Sequence, residues 1–104
     1  MTEEKPRTGG EVLEKKKPET RKPPLYRVVL HNDDYTTMQF VIEILESIFH
    51  RSPAEAYRIM MHVHVRGRGV CGTYPHEIAE TKVADVHARA RAQGFPLMAS
   101  LEEE

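Results

Sequence analysis

An α+β two-layer domain of order β-α-α-β-α-β is the fold this sequence predicts. Three observations carry the prediction. Short β-branched runs bounded by Pro, Gly or Asn/Asp alternate with longer segments whose apolar residues recur at helical spacing. With so few strand-like runs, the helices must cover one face of a small sheet. The composition also changes abruptly near Pro24, so folding is confined to about 80 of the 104 residues.

Residues 1–24 hold seven Lys/Arg, five Glu, four prolines and no aromatic residue, and only Met1, Val12 and Leu13 are clearly apolar. Such a segment buries too little surface to offset its ordering entropy. It is expected to be a disordered N-terminal extension of net charge +2, with residues 25–104, net charge −3, forming the domain. A domain of that size is small but viable without disulfides.

The elements follow in order. Leu25 to Leu30 reads as the first strand. Thr36 or Thr37 caps the next helix, and Thr36 with Gln39 has capping-box spacing. Met38, Val41, Ile42, Leu45, Ile48 and Phe49 form its apolar stripe. Ser52-Pro53-Ala54-Glu55 starts the second helix, with Ser as cap, Pro at the first position and Glu at the third. Ala56, Ile59, Met60 and Val63 share its face, and Gly67 stops it. Gly67 and Gly69 allow a sharp turn into a strand from Val70 to Tyr74. Pro75 opens a third helix carrying Ala79, Val83, Val86 and Ala90 and ending at Gly94. A last strand runs from about Pro96 to Leu101.

Composition excludes several classes. A net charge of −1 gives no basic surface for nucleic acid. No apolar run approaches the length of a membrane span, and the N-terminus lacks the apolar core of a signal peptide. The single cysteine, Cys71, fits a reducing cytoplasm and reads as a small buried side chain. His62 and His64 point in different directions on a helix, and no Cys pair accompanies them, so neither a metal nor another cofactor is expected.

Leu30-His31-Asn32-Asp33-Asp34-Tyr35-Thr36 is the most informative segment. An amide and two carboxylates follow directly on a strand, where such side chains compete for backbone hydrogen bonds. They serve as a turn and helix cap, or as a fixed cluster of acceptors beside a hydrophobic floor. The second arrangement would hold a cation attached to an apolar group.

From Tyr26-Arg27-Val28-Val29-Leu30-His31-Asn32-Asp33-Asp34-Tyr35-Thr36 and Met38-Gln39-Phe40-Val41 onward, the chain resembles the ClpS family of adaptors for N-terminal degradation signals. Met60-Met61-His62-Val63-His64, Gly69-Val70-Cys71-Gly72, Ala79-Glu80-Thr81-Lys82-Val83 and Pro96-Leu97 continue the resemblance in register. It implies a three-stranded antiparallel sheet packed against three helices. It implies a non-enzymatic, monomeric adaptor that binds proteins beginning with Leu, Phe, Tyr or Trp. Delivery would be to a Clp-family AAA+ unfoldase, ClpA- or ClpC-like, with its ClpP protease.

The resemblance also assigns residues. Asn32, Asp33 and His64 would receive the α-amino group, with Asp34 and Thr36 supporting the turn. Met38, Val41, Met60, Val63 and Leu97, with Leu30 as a contributor, would surround the first side chain. Glu77 and Lys82 would dock the unfoldase, although a solvated helix face explains both equally. The N-terminal extension would be gripped by the unfoldase. Pro75 departs from the family's threonine-like cap and Thr37 from its frequent proline. Two other readings stay open: an interaction module like the ribosomal-stalk C-terminal domain, without chain-end specificity, and an acid/base hydrolase using Asp33, Asp34 and His64, for which no third positioned group is evident.

Overall fold

The computed structural model describes residues 22–104, so the expected N-terminal extension falls outside the described residues up to position 21. The element order is β1 (Leu25–His31), α1 (Met38–Ser47), α2 (Pro53–Arg66), β2 (Arg68–Pro75), α3 (His76–Ala92) and β3 (Met98–Glu103). This is the order the sequence predicts. β1 lies between β2 and β3, antiparallel to both. Its central place explains its run of Val28, Val29 and Leu30, all fully buried. Val28 and Leu30 join the core formed with the helices.

Local chemistry sets the ends of the helices. Thr37, not Thr36, caps α1 by accepting the Phe40 N–H at 3.1 Å. The Thr36–Gln39 capping box does not form, because the Thr36 hydroxyl donates to Asp33 instead. α1 ends at Ser47, while Ile48 and Phe49 lie beyond it and are still buried. Phe40 and Ile44 join Val41 and Leu45 on its buried face, and Ile42 is only partly buried. α2 carries the complete Ser52–Glu55 capping box, with Pro53 opening it. Gly67, at φ 91°, closes it in the left-handed region and donates its N–H to the Val63 carbonyl.

Two strand expectations need correction. Gly69 lies within β2, not in the turn. A Cβ there would approach Val63 Cγ2 to 2.8 Å, so glycine is what lets α2 close on the strand. β3 begins at Met98, two residues later than expected, and includes Glu102 and Glu103 opposite Arg27 and Tyr26. Backbone pairing on an edge strand tolerates charged side chains, so the run of Glu does not end it.

Pro75 precedes α3 without a side-chain cap. Lys82 is half-buried, which corrects the expectation of a solvated side chain. Its Nζ donates to the Ile48 carbonyl at 2.8 Å and lies 5.1 Å from the Tyr74 ring centroid. A cation at the C-terminal end of α1 satisfies an orphan carbonyl and complements the helix dipole. Lys82 therefore joins α3 to α1, whatever else it contacts. Glu77 is exposed in the first turn of α3.

Candidate functional site

Strand pairing assembles the site. His31 at the end of β1 lies opposite Arg68 at the start of β2. The loop leaving β1 is therefore beside the end of α2, which feeds β2 through Gly67. The Asn32 N–H donates to the Gly67 carbonyl at 2.8 Å and ties the two together. Asn32 is thus brought next to the last turn of α2, which carries His64.

Asp33 fixes the rest of the loop. One carboxylate oxygen accepts the Tyr35 and Thr36 N–H groups at 2.8 and 2.7 Å, and the other accepts the Thr36 hydroxyl at 2.7 Å. This is an Asx-type turn running into the α1 cap. Partial burial pushes the carboxyl's pKa up, but the hydrogen bonds from Thr36 and Tyr35 outweigh it and leave the group below its ordinary 3.8. The stability this turn contributes is therefore fully present above the ordinary carboxylate range. It is lost only as pH falls through the depressed value. A carboxylate offers about four acceptor positions, so Asp33 keeps capacity for a further donor.

Beside this loop is a cavity of about 240 Å³ lined by Asn32, Asp33, Asp34, Thr36, Met38, Val41, Met60 and His64. It is smaller than the roughly 300–1,000 Å³ of a drug-sized ligand site, and suits a group of amino-acid size. Met38 and Val41 stand at i, i+3 on α1, and Met60 and His64 at i, i+4 on α2, so each helix offers one face. Val41 and Met60 are buried, whereas Met38 is 44% exposed and forms the rim. Unbranched methionines give a wall that adjusts to different apolar shapes. The lining thus pairs an acceptor cluster with an apolar floor.

Eight of the residues expected at the site come together in this lining. Leu30, Val63 and Leu97 do not. All three are almost fully buried in the core cluster that also contains Val41 and Met60. They are not among the residues that line this cavity and pack directly behind Val41 and Met60. The Gly67 carbonyl that anchors Asn32, and the Tyr35 N–H that orients Asp33, are main-chain groups with no side-chain signal in the sequence. Burial raises the Cys71 thiol to about 12, so it is not a thiolate at neutral pH. Among the described residues no three His, Cys, Asp or Glu side chains gather as a metal site.

Comparison with known proteins gives consistent relatives. The family model for the ATP-dependent Clp protease adaptor protein ClpS matches residues 21–100. The ClpS adapter of Nitratidesulfovibrio vulgaris is 61% identical over 85 residues, covering 82% of this chain and 85% of that one. A ClpS adapter of Caulobacter vibrioides is 51% identical over 96 residues, covering 92% of this chain and 88% of that one. Among solved structures, Agrobacterium tumefaciens ClpS2 bound to L-phenylalaninamide superposes with a TM-score of 0.77. It is 40% identical, and the match covers 80% of this chain and all of that one.

Proposed function

The chain belongs to the ClpS family of ATP-dependent Clp protease adaptor proteins, and from that membership we propose that it recognises proteins by a bulky hydrophobic N-terminal residue. It is an adaptor and not an enzyme. In the proposed reading, Leu, Phe, Tyr or Trp at the first position enters the cavity, and Asn32, Asp33 and His64 receive the ammonium. The cargo passes to a ClpA- or ClpC-like unfoldase with its ClpP protease. The adaptor works as a cytoplasmic monomer whose docking surface includes Glu77 and, less directly, Lys82.

The observation that carries this reading is the convergence of acceptors and apolar wall in one cavity. An α-amino group, with a pKa near ~7.7–8.0, is largely an ammonium at neutral pH and offers only donors. An internal peptide bond has no such charge, so the acceptor cluster selects chain ends. Phenylalaninamide, the ligand of the Agrobacterium relative, combines a free amine, a large apolar side chain and an amide where a chain would continue. Asp33, held below the carboxylate range by three donors, is suited to fixed charge and poorly suited to shuttling protons.

The reading is tested with purified unfoldase, protease and ATP. Adding this chain is expected to accelerate degradation of a Leu-initiated protein and not of the same protein beginning with Ala. Equal effects on both would remove the chain-end specificity.

Substitution tests the assignment of His64. The neutral ring can accept from an ammonium, so His64→Ala should weaken binding of a Leu-initiated peptide while the parent's melting behaviour is kept, because the side chain lines the cavity. The parent's affinity, kept in that variant, would remove His64 from the site.

A further inference from the structure

We infer that the flank of α2 running from His64 through Met61 to Tyr57 is a second contact surface, taking an apolar side chain from the third or fourth residue of the bound chain. This rests on the reading of the cavity as the seat of an N-terminal residue. Tyr57, Met61 and His64 stand at i, i+4 and i+7 and so share one helix face. His64 is part of the cavity lining, and the strip therefore begins at the site itself. Tyr57 is 56% exposed, and Met61 is only partly buried against the core. Val65, 68% exposed, widens the apolar surface at the same end of the helix.

The opposite flank of α2 faces β2, where a Cβ added at Gly69 would meet Val63, the His62 ring and the Ile59 carbonyl. A chain with its ammonium at Asp33 and its first side chain between Met38 and Met60 has to continue past the cavity. The Tyr57 flank offers an open apolar surface there. Seven residues of helix at 1.5 Å each span about 10 Å, the length of about three residues of extended chain. The occupant is therefore the substrate polypeptide, not a second copy of this chain.

The test uses fluorescent peptides beginning Leu-Ala, with positions 3 and 4 Leu-Trp or Ser-Ser, each free and N-acetylated. They are titrated against the full chain and its Tyr57→Ser variant. The apolar pair should tighten binding to the parent by about three- to tenfold, the scale of one partly buried apolar side chain. Tyr57→Ser should abolish that advantage and leave the affinity for the Ser-Ser peptide unchanged. No advantage in the parent, or the same advantage in the variant, overturns the second surface while leaving the cavity reading intact. Acetylated peptides binding as well as free ones overturn both. Concentration-dependent dimerisation that Tyr57→Ser removes would assign the strip to a second copy and overturn the proposal as well.

Discussion

N-acetylation of a Leu-initiated peptide is expected to weaken its binding by at least ~30-fold, about 2 kcal/mol, as for hydrogen bonds to charged groups. Acetylation removes the charge and two donors of the amine while leaving the leucine side chain in place. The loss is large because the acceptors are already positioned. Asp33 is held by Tyr35 and Thr36, and Asn32 by Gly67, before any ligand arrives. Asp33→Ala should reduce free-peptide binding to a similar extent, but it also takes the acceptor from three donors of the turn. Asp33→Asn separates the two effects, because its amide oxygen still accepts the backbone N–H groups while the charge is gone. It should lose most of the preference for free over acetylated peptide, with melting close to the parent's. Equal affinity of the parent for both peptides would sink the proposed recognition.

The features most legible in the sequence were those set by short-range chemistry. Ser52, Pro53 and Glu55 form the start signal they spell, and Gly67 ends the helix they begin. The order of elements followed from periodicity. The last strand was misplaced by two residues because apolar Pro96-Leu97 looked like its beginning. Leu97 is indeed buried, but as a core residue before β3, and the strand continues into Glu102 and Glu103, which pair with β1 through the backbone while the Glu102 side chain also meets Arg68.

The candidate site divides along the same line. The acceptors were legible, since Asn and Asp after a strand have few other roles than turns and ligands. The apolar wall was legible only as a set of apolar residues. Sequence spacing does not distinguish a side chain that lines a cavity from one packed just behind it, and Leu30, Val63 and Leu97 share one buried cluster with Val41 and Met60. Lys82 shows the reverse error. Helical spacing suggested a solvated position, while a contact to Ile48, 34 residues earlier, made it part of the packing.

Leu30 turns that distinction into an experiment. Leu30 is fully buried in the central strand, paired with Gly69 on one side and Ala99 on the other. Leu30→Ala removes a large core side chain and leaves a cavity that a three-stranded sheet closes only partly. The expected cost is roughly 2–5 kcal/mol. A domain of about 80 residues has a total stability of only about 4–12 kcal/mol. The melting temperature should therefore fall by something like 10–30 °C. Peptide binding should behave differently. Leu30 is not among the residues that line the cavity. At a temperature where the variant is still folded, its affinity for a Leu-initiated peptide should stay within about 0.5 kcal/mol of the parent's, as for substitutions away from a contact. A melt near the parent's combined with a tenfold loss of affinity would move Leu30 into the pocket wall. That result would return it to the contributing place the family resemblance implies.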